Sequence, residues 1–317
     1  MTAPRGPRPL TVVSGALGSG KTTLLRRLLQ APELRDTAVL VNELGDVGLD
    51  HLQLRQVDER TLVLPGGCVC CATREDVETS LHDLLTAEAA GEVSPVRRVV
   101  LETTGVADPA PIVATLLRSP VLRHHFAVDR VVVTVDAQAT ARRPEQGPEW
   151  VQQVVCADVL AMTKVDTVPR QAVDELAGRL AALNPAAAVT PAADLDLTAI
   201  SVPTPVSVGV PALPATEHLA GVASASIELE GPVDWAAFAV WLSALLHAHG
   251  ERILRVKAVL DTGGDRPVVV DGVQHVVHPP HHLDSWDGPR RSAVVLITRD
   301  LPPGPVVGAM RRFVTRR

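Results

Sequence analysis

The sequence is poor in aromatic residues and strongly basic segments. It has no tyrosine, and aromatic residues make up only 2% of its 317 residues, so its cores must be built from Val, Leu, Ala and Ile. A net charge of −6, without a basic run that carries interleaved aromatics, argues against nucleic acid as the main partner. No run of eighteen apolar residues occurs, so we expect no membrane span. Residues 1–9 contain no apolar stretch, so we expect no secretory signal.

Cysteine and lysine are also scarce. Three of the four cysteines, Cys68, Cys70 and Cys71, fall within four residues, which is not the spacing of a disulfide scaffold. A reducing cytoplasm is therefore the expected location. Two of the three lysines, Lys21 and Lys164, lie inside patterns typical of nucleotide-binding sites, where a slender ammonium cannot be replaced by a guanidinium.

Strand and helix patterns alternate through the first part of the chain. This alternation predicts an α/β fold with a doubly wound, mainly parallel sheet over residues 1–190. Predicted strands cover 10–13, 38–41, 61–64, 96–101, 131–135 and 159–162, and predicted helices cover 22–30, 74–90, 109–119 and 169–183. The candidate polar motifs follow the carboxyl ends of strands, which is where such sheets place their ligands.

The periodic pattern stops at about residue 191 and returns near 222. We interpret 191–221, rich in Pro, Ala, Thr and Val, as a linker and 222–317 as a smaller α+β domain. Its predicted strands cover 227–229, 253–260, 267–270, 273–277 and 293–297, and its predicted helices cover 235–249 and the chain from about 305.

The most specific motif is a phosphate loop that follows the first strand and opens a helix. Its residues are Gly15, Gly18, Ser19, Gly20, Lys21, Thr22 and Thr23. In this pattern the backbone N–H groups from Gly18 to Lys21 surround the β-phosphate, and the lysine neutralises the β and γ oxygens. The Thr22 hydroxyl is the expected Mg²⁺ ligand.

The strand at 96–101 ends in Glu102-Thr-Thr-Gly105. Glu102 has the position of the acidic residue on the Mg²⁺ side of phosphate-loop enzymes, where it would hold a metal-bound water or orient the attacking water. Gly105 would supply an N–H that senses the γ-phosphate. Lys21, Glu102 and Gly105 are therefore the candidate catalytic residues.

Thr163-Lys164-Val-Asp166 is similar to the Asn-Lys-x-Asp element that recognises guanine in GTPases. A carboxylate at Asp166 can accept hydrogen bonds from guanine N1–H and the 2-amino group, which adenine cannot offer. The Lys164 stem can cover the face of the base. Asp166 therefore predicts a preference for guanine. Thr163 departs from the pattern, and its shorter reach predicts that the affinity for the nucleotide is weakened.

Cys68, Cys70 and Cys71 follow a Pro-Gly-Gly loop that is free to curl around an ion. Three thiolates favour Zn²⁺, or Co²⁺ in similar geometry, over Mg²⁺ or Ca²⁺. The fourth ligand could be Glu43, Asp46, a histidine or water. A redox pair of the first and third cysteines, and simple packing of the three thiols, are the alternatives.

Other residues that could bind metals or other partners give weaker signals. Cys156 is expected in a core. The late histidines could bind a metal weakly or belong to an exposed loop; they are His247, His249, His275, His278, His281 and His282. Arg252 and Arg255, near Lys257, predict a solvated face or a domain-interface face.

Taken together, these motifs closely resemble the CobW-type GTPases, which are relatives of the hydrogenase and urease nickel-insertion GTPases. The resemblance covers the whole chain. In the first domain it rests on Gly-x-Leu-Gly-Ser-Gly-Lys-Thr-Thr, Val-Asn-Glu-x-Gly-Asp, Gly-Gly-Cys-x-Cys-Cys, Glu-Thr-Thr-Gly and Thr-Lys-x-Asp. In the second it rests on Arg255-Val-Lys257 and the strand that ends at Ile297. Thr163 and Ala258 depart from the family's Asn and Gly, and 191–221 lacks the family's histidine-rich linker.

The resemblance implies a GTP-hydrolysing metal chaperone that delivers its ion to a client metalloprotein. Bound GTP and Mg²⁺ would order residues 43–51 and shape the thiol site, and hydrolysis would release the ion. Homo-oligomerisation stays open. Two alternatives come from other functional classes: a nucleotide-triggered assembly switch with structural cysteines, and a phosphate-loop kinase that prefers ATP.

Overall fold

The computed structural model describes residues 6–34, 36–41, 62–65, 74–105, 107–143, 147–196, 221–286 and 289–314. Their contacts divide the chain into two units. The first takes the described residues of Met1–Gln153, Val159–Val173 and Thr190–Ser201. The second takes those of Val154–Asp158, Asp174–Val189 and Val202–Arg317.

A seven-stranded sheet forms the centre of the first unit. Its strands are β1 (Arg8–Gly15), β2 (Thr37–Val41), β3 (Leu62–Pro65), β4 (Arg98–Glu102), β5 (Phe126–Asp136), β6 (Val159–Thr163) and β7 (Ala188–Pro191). They are ordered β3-β2-β4-β1-β5-β6-β7, and the pairs among the first six strands are parallel. This arrangement confirms the doubly wound, mainly parallel sheet.

Helices connect these strands. They are α1 (Lys21–Leu28), α2 (Arg74–Ala90), α3 (Pro109–Arg118), α4 (Pro120–His125), α5 (Ala137–Arg142), α6 (Pro148–Cys156) and α7 (Arg170–Leu183). The Asp108 carboxylate accepts a hydrogen bond from Ala110 N–H at 2.9 Å and caps α3, with Pro109 in the first turn. Nowhere in the described ranges does a helix have the length and apolarity needed to cross a membrane.

The register of the central strands brings several loops to one edge of the sheet. β1 lies between β4 and β5, and Val13 is the register partner of Glu102 while Gly15 is the partner of Thr134. All five residues of β2 and the last four of β4 are buried, as expected for parallel strands covered on both faces. The segments that follow β1, β4 and β5 therefore start next to one another.

The second unit contains an antiparallel sheet with two helices. Its strands are β8 (Val222–Leu229), β9 (Ile253–Leu260), β10 (Val268–Val273), β11 (Val276–Val277), β12 (His281–His282) and β13 (Ser292–Arg299), and its helices are α8 (Trp235–His249) and α9 (Pro303–Val314). The order is β11-β10-β9-β13-β8, and β12 pairs with β10. This is the predicted α+β architecture.

The two faces of β9 bury different chemistry because successive side chains alternate across a strand. Val256 and Ala258 join Phe238 of α8 and Met310 of α9 in one apolar cluster. Arg255 and Lys257, at the intervening positions, are also buried. Two buried cations on one strand face require carboxylate partners. These partners, Asp158 and Asp271, are in the same unit.

Several predicted elements differ from the observed ones. The predicted strand at 273–277 is wrong, because the chain turns at Gln274 (φ 53°) between β10 and β11. The short helices α4 and α5 were not predicted, since six residues are too few to display a helical period. The prediction also lacked α6 and β7.

Candidate functional site

The loop between β1 and α1 requires glycine at its first position. Gly15 has φ +135°, and a Cβ built on it would lie 2.3 Å from Thr134 Oγ1 and 2.5 Å from the Thr134 carbonyl oxygen. Ser19 closes the loop, because its N–H donates to the Ala16 carbonyl at 3.1 Å and its hydroxyl lies 2.6 Å from the Thr134 hydroxyl. The loop is therefore attached directly to β5.

Two further glycines allow the loop to enter α1. Gly18 and Gly20 have φ values of +72° and +92°, in the left-handed region that glycine adopts without strain. Gly20 is the N-cap residue of α1, and Thr22 and Thr23 lie in the first turn. N–H groups in the first turn of a helix point away from the helix and favour an anion.

Lys21 folds into the loop that it follows. Its ammonium donates to the carbonyl oxygens of Gly15 at 2.8 Å and Ala16 at 3.1 Å, and the residue is buried. A fixed positive charge thus lies against the turn whose backbone amides would surround a phosphate. This is the geometry that the motif predicts for a polyphosphate cradle.

Thr22 and Glu102 come together from α1 and the end of β4. The Thr22 hydroxyl donates to Glu102 Oε1 at 3.0 Å, and Glu102 is only 5% exposed. A hydroxyl beside a carboxylate offers hard oxygen ligands, and such ligands favour Mg²⁺ over Zn²⁺. The residues present therefore fit a Mg²⁺ ion, which Thr22 and Glu102 would hold.

The segment after β4 packs against the phosphate loop. Thr103 N–H donates to the Val13 carbonyl at 2.9 Å, and the Thr103 hydroxyl donates to the Ser14 hydroxyl at 2.9 Å. A Cβ added to Gly105 would lie 2.4 Å from Leu17 N and 2.7 Å from Leu17 Cα. Glycine is required here because the two backbones are in direct contact.

The segment 163–166, predicted to recognise the base, returns to the same loop. Thr163 donates its hydroxyl hydrogen to the Ser19 carbonyl at 2.7 Å, and the Lys164 ammonium donates to the Gly18 carbonyl at 2.9 Å. Asp166 lies in the turn Val165–Thr167 with its side chain exposed. Residues 163–166 are thus positioned by the phosphate loop, and the carboxylate is accessible to a ligand.

Asp136, at the end of β5, is a site residue that the sequence reasoning missed. Its carboxylate accepts from Lys164 Nζ at 2.5 Å and from Ala139 N–H at 2.9 Å. Burial acts against ionisation, but these hydrogen bonds outweigh it and hold the pKa of Asp136 below its ordinary value. Its position at a strand end, followed by a helical pattern, is a signal that could have identified it.

Thr134 and Gln153 were also missed. Thr134 contacts the phosphate loop as described above. Gln153 on α6 donates its amide hydrogens to the carbonyls of Gly105 and Ala107, each at 3.2 Å. Neither residue belongs to a motif, so the sequence alone offers no signal for these contacts.

The predicted thiol site lies outside the described residues. Cys68, Cys70 and Cys71 belong to it, together with the candidate ligands Glu43 and Asp46. Within the described ranges, no group of three or more His, Cys, Asp or Glu side chains could hold a metal ion. The late histidines therefore form no such group among themselves. Cys156 is buried, which confirms its prediction as a core residue.

Arg252 is exposed, but Arg255 and Lys257 are buried, so the prediction of a solvated face is wrong for these two residues. The alternative of a domain-interface face stays a prediction. Arg255 is 1% exposed, and its Nη2 contacts Asp158 Oδ1 at 2.5 Å and Asp271 Oδ2 at 2.9 Å. The Lys257 ammonium lies 3.1 Å from the same Asp158 oxygen, and Arg255 Nη1 also donates to the Cys156 carbonyl. Burial opposes the charge on Arg255, but the neighbouring carboxylates outweigh it and raise the pKa of its guanidinium.

Comparisons with known proteins match both parts of the chain. The sequence profile of the CobW/HypB/UreG nucleotide-binding domain matches residues 9–191, and that of the cobalamin synthesis protein CobW C-terminal domain matches residues 222–313. The zinc chaperone YjiA of Escherichia coli is 30% identical over 311 residues, which cover 93% of this chain and 95% of that protein. The zinc chaperone CobW of Pseudomonas aeruginosa is 30% identical over 210 residues, 56% of this chain and 54% of that protein.

A solved structure is similar over nearly the full length. The crystal structure of the Zn(II)-bound YjiA GTPase from Escherichia coli superposes with a TM-score of 0.71 and 27% identity, covering 98% of this chain and 99% of that one. The similarity therefore extends over both sheets and is not limited to the phosphate-loop unit.

Proposed function

Because the chain belongs to the CobW/HypB/UreG family, we propose that it is a GTPase that acts as a metal chaperone. In this proposal it binds Zn²⁺, or Co²⁺, through Cys68, Cys70 and Cys71, and it delivers the ion to a client metalloprotein under control of the bound nucleotide. The observation that carries the proposal is the closed phosphate loop, with Lys21 folded into it and Thr22 beside Glu102. The zinc chaperone name of the YjiA relative supports the choice of metal.

We assign the work to separate parts of the chain. Residues 1–190 act as the GTPase domain, 191–221 as a linker and 222–317 as the CobW-like C-terminal domain. The limits of the two family matches support this division. The protein functions in the cytoplasm in this proposal.

The phosphate loop supplies the contacts to the nucleotide phosphates. The residues that bind them are Gly15, Gly18, Ser19, Gly20, Lys21, Thr22 and Thr23. The left-handed glycines turn successive N–H groups toward one point, and the buried ammonium of Lys21 neutralises the β and γ oxygens. Thr22 and Glu102 would hold Mg²⁺, which when bound would neutralise charge on the transferred phosphoryl group.

The guanine base is recognised by the segment after β6. The Asp166 carboxylate accepts from the base, the Lys164 stem covers its face, and Thr163 holds the segment against the phosphate loop. The contact at 2.7 Å supports a positioning role for Thr163 in spite of its short side chain. GTP should therefore bind at least tenfold more tightly than ATP, since two charge-assisted hydrogen bonds of about 1.5–3 kcal/mol each are available only to guanine.

Hydrolysis depends on three of the chain's groups. Glu102 orients the attacking water, Lys21 stabilises the charge that develops on the phosphoryl oxygens, and the Gly105 N–H contacts the γ-phosphate. The close approach of Gly105 to Leu17 supports this assignment, because it keeps the segment after β4 at the phosphate loop. Loss of the γ-phosphate would remove one partner of that segment.

The register of the sheet supports coupling between nucleotide and cargo metal. Val41, the last residue of β2, is the register partner of both Glu102 and Pro65. Adjacent strands lie about 4.8 Å apart, so Pro65 is about 10 Å from Glu102 across two strand spacings. The chain enters the cysteine motif directly after Pro65, and it enters the segment with Glu43 and Asp46 directly after Val41. Both candidate metal-binding segments therefore begin near the Mg²⁺-side carboxylate.

Zinc titrations with either nucleotide test the proposal. We expect one Zn²⁺ per chain, bound more tightly with a non-hydrolysable GTP analogue than with GDP, and lost in the variant with Cys68, Cys70 and Cys71 replaced by Ser. The fourth cysteine supplies the control: Cys156→Ala should keep the stoichiometry. Equal zinc affinity in the two nucleotide states would contradict the coupling between nucleotide and metal. Zinc retained by the triple variant would show that the three cysteines are not its binding site.

Nucleotide competition separates this function from a kinase. Asp166→Asn should weaken GTP binding at least tenfold and leave the weak ATP binding unchanged. An exposed carboxylate on α7 offers the matched change, Asp174→Asn, which should leave both affinities unchanged. A wild-type preference for ATP would contradict the GTPase assignment.

A further inference from the structure

Gln153 is a buried amide in an otherwise apolar stretch of α6. It is 1% exposed, and its helix neighbours Val151, Val154 and Val155 are equally buried. Burying an amide without hydrogen-bond partners costs free energy that a leucine at the same position would not. The contacts of its side chain therefore explain why the residue is polar.

The Gln153 side chain uses both of its amide hydrogens on one loop. Nε2 donates to the Gly105 carbonyl and to the Ala107 carbonyl, each at 3.2 Å. An amide nitrogen has two hydrogens, so its donor capacity is fully used by these two acceptors. The contact spans 48 residues in one case and 46 in the other, so it is purely tertiary.

The loop that Gln153 contacts is held on three sides. Thr103 attaches its start to β1, and Ala107 N–H donates to the Thr104 carbonyl at 3.1 Å, which closes a turn. Gly105 lies against the backbone of Leu17 in the phosphate loop. Gln153 adds a further attachment, because the Gly105 and Ala107 carbonyls accept hydrogen bonds from its side chain on α6.

We propose that Gln153 is a positioning residue for the γ-phosphate contact. Gln153 holds the Gly105 carbonyl directly, and it holds Ala107, whose N–H in turn holds the Thr104 carbonyl in the same peptide unit as the Gly105 N–H. It thereby fixes the segment on both sides of the Gly105 N–H and keeps this N–H directed at the phosphate site. Gln153 touches neither the nucleotide nor the reacting atoms. This inference rests on the proposed function, because it assumes that the segment after β4 senses the γ-phosphate.

Loss of the Gln153 contacts should affect the affinities for GDP and GTP differently. The residues that would contact the α- and β-phosphates and the base lie in the phosphate loop and after β6, and none of them contacts Gln153 through a described hydrogen bond. Loss of the two Gln153 hydrogen bonds should therefore weaken binding of a GTP analogue, while GDP binding persists. A residue that merely stabilises the fold would weaken both.

The test compares Gln153→Glu with Gln152→Glu. The first change places a carboxylate against two carbonyl oxygens and should release the loop. The second is the same chemical change one position earlier on α6, at a half-buried side chain. Affinities for GDP and a non-hydrolysable GTP analogue are measured by fluorescence titration, and kcat and KM for GTP by phosphate release.

We expect Gln153→Glu to lower affinity for the GTP analogue and kcat by about tenfold each, as the loss of two neutral hydrogen bonds predicts, with GDP affinity within about twofold of wild type. Gln152→Glu should match wild type. Gln153→Met removes the donors without adding charge and should give the same selective loss, so it decides the matter if the Glu variant does not fold.

The inference would be overturned if the ratio of the two affinities were unchanged in folded Gln153 variants, whether neither nucleotide lost affinity or both lost it equally. Failure of the proposed function gives a different result, because wild-type protein would then neither prefer GTP over ATP nor hydrolyse it.

Discussion

The Thr163 hydroxyl donates a hydrogen bond to the Ser19 carbonyl across 2.7 Å, and this bond ties the end of β6 to the phosphate loop. Gly20 lies against the same threonine, since a Cβ at Gly20 would be 3.4 Å from Thr163 Cγ2. In the proposed function, base recognition and phosphate binding therefore share one contact. The residue that departs from the family's Asn still connects the two parts of the site.

Thr163→Val keeps the shape of the side chain and removes the donor. We expect affinities for GDP and a GTP analogue to fall together by about fivefold, the effect of one net hydrogen bond of about 1 kcal/mol. Fluorescence titration with both nucleotides measures this. Thr86→Val is the control, because Thr86 is an exposed residue whose hydroxyl donates to the His82 carbonyl within α2. A change confined to one nucleotide would contradict the shared role.

Gly105→Ala tests the close approach of the segment after β4. The new Cβ would lie 2.4 Å from Leu17 N, so one of the two backbones must move. We expect GTP-analogue affinity to fall at least tenfold and hydrolysis to be lost, since a backbone shift of even 1 Å at such a site can cost about a hundredfold in rate. Titration and phosphate-release assays measure both effects.

The matched control for that change is Gly178→Ala in α7. No atom lies within 4 Å of a Cβ at Gly178, and alanine favours helix over glycine by about 1 kcal/mol. This variant should hydrolyse GTP normally and unfold at equal or higher temperature. Normal hydrolysis by Gly105→Ala would show that the phosphate loop tolerates displacement, and would remove Gly105 from the site.

Asn184 fixes the carboxyl end of α6. It is fully buried, and its Nδ2 donates to the carbonyls of Val154 at 2.7 Å and Ala157 at 2.9 Å while Oδ1 accepts from Ala186 N–H at 3.1 Å. Asn184→Ala leaves these groups buried without that partner.

We expect Asn184→Ala to lower the free energy of unfolding by about 2–3 kcal/mol in urea denaturation, because several buried backbone groups lose their partner at once. Gln152→Ala, at a half-buried position of the same helix, should change it by less than about 0.5 kcal/mol. Similar urea midpoints for both variants would indicate that water replaces the asparagine amide.

Much of this architecture could be predicted from local patterns. Apolar runs identify the central strands, and the motifs that contain Lys21, Glu102 and Thr163 lie at or soon after the strand ends. Local signal suffices there because a phosphate loop combines its glycines, lysine and hydroxyl within eight residues of one strand-to-helix turn. The sheet then brings the other strand ends to it.

The remaining features depend on contacts between distant parts of the chain. The sequence predicts that Arg255 faces solvent or another domain. Its burial was not predicted because its carboxylate partner Asp158 lies 97 positions away in the chain. Gln153 and Thr134 have no motif, and their roles follow only from which carbonyls and hydroxyls the fold places beside them. Short helices such as α5 are defined by a cap at Asp136 more than by any periodicity.

The pH dependence of stability should report on the ion pair between Asp261 and Arg290. Two hydrogen bonds of 2.7 Å from the guanidinium, opposed by burial, hold the pKa of Asp261 below its ordinary 3.8. When folding lowers the pKa of a carboxyl, the charged form stabilises the fold at any pH above the unfolded-state pKa. This contribution is lost as the pH falls through the lower, folded-state pKa. Arg290→Ala should therefore lower the urea midpoint at neutral pH, and the deficit should shrink as the pH falls below the ordinary pKa of 3.8. Arg291→Ala, whose exposed pair with Glu228 spans 3.4 Å, should leave the midpoint unchanged at both pH values. A deficit for Arg290→Ala that is equal at neutral and acidic pH would assign its effect to packing and not to charge.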